Sequence, residues 1–472
     1  MVTEKILSDA IYDKYIKPTE RPEKKLVGVE LEYPIVNLRG ATFDRIESPV
    51  DFSVVHQLAE SFVAKFSFGN VTRDDDGFIY NAEDEVTGDI LSFDCSYNTL
   101  ELSFGAEESI KTIEKRFKDY YEFIQTTLAE SEHMITGLGI NPGYKVNRRD
   151  PVANGRYRML YRHLQSYTEY GNAIAFHDFP YFGMFSCASQ VQLDVNRESL
   201  VETLNTFTRL EPIKAVLFAN SVFKVDENTK FLASRDYFWK QSLHGINPHN
   251  VDDYDTEIHS LDEIVSYIKT MSLYCTDRDG KYINFRPTRL HEYFSSESVS
   301  GKYFSNETGK IEEIEFTPDI RDLEYLRSFK FNDLTYRGTI EFRSVCEQPV
   351  KDVMTTAAFH AGLKKKTKDL AIFLKNEKDI YQQGYSTGEL RKMFTTGACP
   401  GFINKDRIFD VAKEILDISS EGLKERGLGE EFYLDALYDR IENKTNPALD
   451  FIRMRKEDKS ITDIVKAFSS LD

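Results

Sequence analysis

The chain has 472 residues, of which 41% are hydrophobic, 13% aromatic and 29% charged, enough apolar matter to bury a sizeable core in one large unit or in two or three domains. With 78 acidic against 60 basic residues the net charge is −18, which excludes a nucleic-acid binder, whose phosphate contacts need clustered cations. No apolar run approaches the ~20 residues of a membrane span and no leader-like segment opens the chain, so a soluble, cytoplasmic protein is expected. The five cysteines (Cys95, Cys187, Cys275, Cys346 and Cys399) are odd in number and far apart, which fits reduced thiols rather than a disulfide framework.

In chain order, residues 1–20 predict a short leading helix. Residues 25–36, KLVGVELEYPIV, predict a strand: Val27, Val29 and Leu31 alternate with Gly28, Glu30 and Glu32. A helix near 53–65, a turn at Asp74–Gly77, and strands over GDILSFD and 99–104 follow. Residues 109–129 have helical spacing. Strands are expected over 133–141 and 184–195, and a helix over 199–220. Residues 245–262 are acidic and irregular and suggest a surface insertion, with His244, His249 and His259 as surface residues. Residues 335–345, TYRGTIEFRSV, alternate as a strand; after Pro349 the chain is helical, with two amphipathic helices broken at Gly427 or Gly429. The class is α+β with a mostly antiparallel sheet. Residues 1–370 are expected to form one unit, and 371–472 a helical region packed on it.

The chemistry lies in acids placed on strands that ought to be core. Glu30 and Glu32, at i and i+2, leave one strand face together. Adjacent carboxylates repel and raise each other's pKa unless cations intervene, and a hard divalent cation bound through oxygen relieves this. A strand with a solvated outer face gives the same alternation. Asp94 and Glu101 flank a short crossing between two apolar strands. Glu341 and Arg343 share a face, either as a plain ion pair or as a metal carboxylate beside a cation suited to a transferring phosphoryl group. Three such acidic strands together favour a multi-metal phosphoryl-transfer site. There is no GxxxxGKS/T loop, GxGxxG, HExxH or GxSxG.

Seven segments, in order, resemble the glutamate–cysteine ligases of plant and proteobacterial type and the related carboxylate–amine ligases. They are GVELEYPIV, LSFDCSYNTLELS, NGRYRMLYRHL, SCASQVQLDV, PIKAVLFANSVF, FLASRDYFW and YRGTIEFRSVCEQP. The resemblance implies a glutamine-synthetase-like fold, a curved antiparallel sheet forming a funnel with helices outside. It implies ATP as co-substrate and Mg2+ held by Glu30, Glu32, Asp94, Glu101 and Glu341. By the same resemblance Gln190 supplies a further metal or substrate contact, Arg343 meets the transferred phosphoryl group, and Arg156 and Arg235 hold the glutamate carboxylate. Asp94 stands where the family has Glu. The implied reaction joins the γ-carboxylate of L-glutamate to the amine of L-cysteine through a γ-glutamyl phosphate. A ligase for another amine, a guanidino kinase and a degenerate binding homologue are the other readings; nothing here resembles the guanidinium-binding loop of the kinases.

Overall fold

β1 (Val27–Asn37) is the centre of the fold, and its alternation decides which face is buried. Val27, Val29, Leu31 and Tyr33 turn to one side and are at most 2% exposed. There Tyr33 stacks on Phe117, 6.2 Å between ring centres. Glu30 and Glu32 turn to the other side. The computed structural model describes residues 2–170, 182–224, 230–305, 307–381 and 383–472.

The other strands of this sheet are β2 (Asn70–Arg73), β3 (Ile79–Glu83), β4 (Ile90–Phe93), β5 (Thr99–Glu107), β6 (His133–Ile135) and β7 (Ser189–Asp194), with a hairpin of Asn332–Leu334 and Thr339–Phe342. The spatial order is hairpin, β7, β1, β5, β4, β3, β2, and β6 pairs with the far end of β1. Every neighbour is antiparallel. Helices α1 (Glu4–Ile11), α2 (Phe52–Phe66), α3 (Ile110–Ala129), α4 (Gly155–Gln165), α5 (Leu200–Phe218) and α6 (Ser234–Lys240) come before the second sheet in the chain. α3 and α5 cover the apolar side of the sheet. Phe207 of α5 lies 4.5 Å from Phe342, which His360 of the helix Thr355–Lys365 stacks against at 4.6 Å. The α+β class and the antiparallel sheet are therefore as expected.

Several expected elements are shorter. The leading helix ends at Ile11; a π-turn and a 3-10 turn holding Pro18 follow, since proline cannot donate to a continuing helix. The strand expected over 133–141 stops at Ile135. A Cβ on Gly137 would stand 2.2 Å from the Gln348 carbonyl oxygen, so this stretch threads between other backbones. The strand expected over 335–345 is Thr339–Phe342, entered by a tight turn. At that turn Gly338 has φ +75°, and a Cβ there would meet the Pro18 carbonyl oxygen at 2.6 Å.

A second antiparallel sheet, Ser272–Arg278, Lys281–Arg289, Val299–Ser305 and Lys310–Phe316, lies in a stretch the sequence reading left unassigned. The segment 245–262 is not a plain surface insertion: Asn250, Asp253, Tyr254 and Ile258 are buried in it. His244, expected at the surface, is 3% exposed. The helix Lys405–Arg426 ends as foreseen at Gly427, in the left-handed conformation.

Candidate active site

Antiparallel register places acids side by side on the polar sheet face. Glu32 pairs with Glu101 and Glu30 with Ser103 across β1–β5. Glu30 pairs with Gln190 across β1–β7. Glu341 pairs with Gln192 on one side and with Asp333 on the other. Directly opposed residues point the same way, so four strands deliver Glu30, Glu32, Glu101, Glu341 and Asp333 to one face.

Amides separate these acids. Gln190 Nε2 donates to Glu32 Oε1 at 2.7 Å, and the Ala188 backbone N–H to Glu32 Oε2 at 2.7 Å. Gln192 Nε2 donates to Glu30 Oε1 at 2.8 Å and to Glu341 Oε1 at 2.9 Å. Ser103 Oγ donates to Glu101 Oε1 at 2.8 Å. Arg343 Nη1 donates to the other Glu341 oxygen at 2.5 Å.

The electrostatics follow from burial and crowding. Burial, with Asp94 and Glu101 nearby, pushes the Glu32 carboxyl up to about 8 against the pull of Arg235. Burial and Asp94 push Glu101 up to about 7. Burial, then Glu341 and Glu101, raise Glu30 well above the usual carboxylate range. Burial raises Asp94 although Arg156 opposes it. Burial also pushes Asp333 up to about 7, with Arg343 lowering it and Glu341 raising it. Burial alone would lower the Arg343 guanidinium, but Glu341 and Asp333 outweigh it and hold it charged.

A cavity of about 530 Å³ opens over this face. Glu32, Asp94, Arg156, Gln190, Arg235, Glu341 and Arg343 line it. Glu30 and Glu101 adjoin it through their pairing with this set. Asp94 follows β4. Arg156 sits in the first turn of α4, which Asn154 starts by accepting from the Tyr157 backbone N–H at 2.8 Å. Arg235 is in the first turn of α6; its Nη1 donates to the Val345 carbonyl at 3.2 Å, and its buried Nε has no protein partner. All nine residues singled out from the sequence therefore fall on or beside one cavity. Among the described residues, no three His, Cys, Asp or Glu side chains are drawn together as around a bound ion. The amide and guanidinium contacts above keep the carboxylates apart. The donor set is oxygen only and crowded with acids that resist ionising together, which suits a hard divalent cation.

Sequence reasoning missed four residues here. Gln192 follows Gln190 at i+2, so the same alternation marks it. Asp333 is on a strand of only three residues. Glu347 is fully buried; its Oε1 accepts from Ser189 Oγ at 3.1 Å and its Oε2 from the Glu32 backbone N–H at 3.2 Å. Arg391 comes from the C-terminal region and binds Asp236 beside Arg235.

The sequence profile of glutamate-cysteine ligase family 2 matches residues 26–467. The chloroplastic glutamate–cysteine ligase A of Oryza sativa subsp. indica is 22% identical over 323 residues, covering 66% of this chain and 59% of that protein. The chloroplastic glutamate–cysteine ligase of Arabidopsis thaliana is 21% identical over 359 residues, covering 73% of this chain and 62% of that protein. A solved glutamate–cysteine ligase of Francisella tularensis, in complex with AMP, aligns with a TM-score of 0.46 and 14% identity over 94% of this chain and 88% of that one. The chain thus spans about three-fifths of the length of the plant relatives it matches. The acid-lined antiparallel sheet carries its arginines at one cavity. The chain belongs to glutamate-cysteine ligase family 2.

Proposed function

We propose that this protein joins the γ-carboxylate of L-glutamate to the amine of L-cysteine at the expense of ATP, through a γ-glutamyl phosphate. The observation that carries this is the meeting of a five-acid sheet face, Arg343, and the pair Arg156 and Arg235 at one cavity. A carboxylate is a poor electrophile. Transfer of the ATP γ-phosphoryl group to a γ-carboxylate oxygen, with ADP leaving, gives an acyl phosphate. The amine then attacks the acyl carbon, the C–N bond forms, phosphate leaves and the nitrogen loses a proton. Glu30, Glu32, Asp94, Glu101 and Glu341 would hold Mg2+, which when bound offsets charge on the nucleotide phosphates.

The chain's own residues do the rest. Arg343 meets the equatorial oxygens of the passing phosphoryl group. Arg156 and Arg235 grip the α-carboxylate, which leaves the γ-carboxylate as the group that reacts. Gln190 fixes the Glu32 carboxylate for its contact. Residues 1–370 supply every one of these groups, and 371–472 brace them from outside. The five cysteines are all unpaired, which supports a reducing compartment such as the cytoplasm. No described helix is long and apolar enough to cross a membrane.

The test supplies Mg·ATP and glutamate with each amino acid singly, and follows ADP release and product mass. Glutamate- and cysteine-dependent ADP release with γ-glutamylcysteine as product is expected. ADP release independent of glutamate would refute the reading.

A further inference from the structure

The regular ladder of the sheet ends beside Glu32, and a buried acid takes over there. β1 pairs with β7 from Val27 opposite Leu193 to Leu31 opposite Ser189 and no further. Thr339–Phe342 pairs with β7 only as far as Phe342 opposite Val191. Past these points single main-chain contacts remain: the Ser189 N–H donates to the Val345 carbonyl at 3.2 Å, and the Glu347 N–H to the Cys187 carbonyl at 2.9 Å. The Glu347 side chain spans the gap. Its Oε2 accepts from the Glu32 N–H at 3.2 Å, and its Oε1 from Ser189 Oγ at 3.1 Å and the Gln348 N–H at 3.0 Å. One carboxylate thus ties β1, β7 and its own segment together.

Glu347 is 0% exposed, and both its oxygens are taken by donors, so it stands behind the cavity wall rather than in it. Its own segment is anchored. Asn220 Nδ2 donates to the Glu347 carbonyl at 2.6 Å and to the Gly137 carbonyl at 2.7 Å. Gln348 Nε2 donates to the Cys346 carbonyl at 2.7 Å, and Arg440 Nη1 donates to Gln348 Oε1 at 2.8 Å. The grip of Glu347 on Glu32 is on the main chain. The Glu32 carboxylate itself is held by Gln190 and by the Ala188 N–H, so it must turn to meet a cation. A main chain fixed from behind lets the side chain turn alone, and groups that orient a metal ligand in this way set metal affinity strongly.

We propose that Glu347 is a positioning residue for the metal centre, fixing the main chain of Glu32 so that only its side chain turns toward a cation. The proposal rests on the reading of Glu32 as a Mg2+ ligand and goes beyond it by naming what aims that ligand. The test titrates the metal-free full chain with Mn2+, a spectroscopic stand-in for Mg2+, and follows bound ion by electron paramagnetic resonance. Glu347→Ala should raise the Mn2+ Kd about 10- to 100-fold, the range found when outer partners of metal ligands are removed. Glu347→Asp keeps the charge but is one methylene too short to reach β1, so it should weaken binding nearly as much. Both variants should need correspondingly more Mg2+ for half-maximal ADP release, while the KM for glutamate at saturating Mg2+ moves less than about twofold. A lower Tm would accompany a merely structural role as well, so the Mn2+ Kd decides. An unchanged Kd in Glu347→Ala overturns the assignment. So does normal binding in Glu347→Asp beside weak binding in Glu347→Ala, which would make the charge matter and not the grip. If Glu347→Ala does not fold, Ser189→Ala removes only the hydroxyl that steadies Glu347 and should raise the Kd about two- to tenfold, the worth of one hydrogen bond; no rise there overturns the assignment too. Wild-type protein that binds no Mn2+ refutes the metal reading itself, and the proposal with it.

Discussion

Arg391 grips Asp236, the residue that follows Arg235: its Nε and Nη2 donate to the two carboxylate oxygens at 2.7 and 3.1 Å. The same guanidinium donates to the Glu211 carboxylate at 2.8 Å and to the carbonyl of Ser344, beside Arg343, at 3.3 Å. One side chain on the helix Thr387–Thr395 thus fixes the neighbours of two site arginines. Arg391→Lys keeps the charge but cannot fork onto both acids. Its kcat/KM for glutamate should fall about tenfold, with a smaller change in the KM for ATP. Arg391→Leu leaves the Asp236 carboxylate without its ion pair and Glu211 with Lys214 alone, and should cost about 3–5 kcal/mol of stability. Chemical denaturation and two-substrate kinetics check both; a Lys variant with uniform loss toward both substrates would make Arg391 a brace only.

Glu32→Gln and Glu341→Gln should abolish turnover while the protein still folds. Each residue is at most 8% exposed and lines the cavity, so a solvated strand face is not their setting. The amide keeps the shape and loses the negative charge that a divalent cation requires. ADP release and circular dichroism on the two variants are the measurement, and near-normal turnover in either removes it from the metal set.

The pH dependence follows from the raised carboxyls. Glu32 at about 8 and Glu101 at about 7 hold protons in the folded state that the unfolded chain has released by pH ~5. Between those values the native state binds more protons, so folding stability falls as pH rises. Without metal, Tm should therefore drop from pH 5 to 8.5. Excess Mg2+ should flatten the drop and bind more tightly at pH 8 than at pH 6, because binding displaces those protons. Glu32→Gln should lessen the slope. Melting curves across this range with EDTA or Mg2+ test it, and a rising Tm in EDTA contradicts it.

Legibility differed between strands and the groups around them. Glu30, Glu32, Glu101 and Glu341 were readable because period-two alternation on a half-buried strand sends apolar residues one way and acids the other. Asp333 was not, since a three-residue strand shows no period and its register comes from the hairpin. Arg391 and Asp236 are 155 residues apart, and nothing local in either segment announces the pair. His244 looked like a surface residue because it clusters with His249 and His259 by an acidic, irregular stretch. Its burial comes from Tyr274, Phe329 and His163, which the fold brings in from three other segments. In the second sheet, Lys310–Phe316 escaped because it is charged and largely exposed, so no buried face marks it.

Arg343 should act mainly in the transition state. Its guanidinium pairs with Glu341 and feels the charge of Asp333, opposite Glu341 in the sheet. Two acids hold it charged and aimed, and it still lines the cavity. A planar cation there meets the dispersed negative charge of the phosphoryl group only while that group is in flight. Such an interaction lowers kcat and kcat/KM together and leaves nucleotide binding nearly intact. For Arg343→Ala the expected loss is about 10²–10³, the size seen when other charge-stabilising donors are removed. A purely structural ion pair with Glu341 predicts something else: a lower Tm with nearly unchanged kcat. The Arg343 side chain is 29% exposed but that of Glu341 only 9%, so Arg343→Ala leaves a largely buried acid unpaired and some fall in Tm accompanies either role; kcat is what tells them apart. Nucleotide affinity, kcat and Tm measured on this one variant separate the two, and a destabilised protein with normal kcat would remove Arg343 from the chemistry.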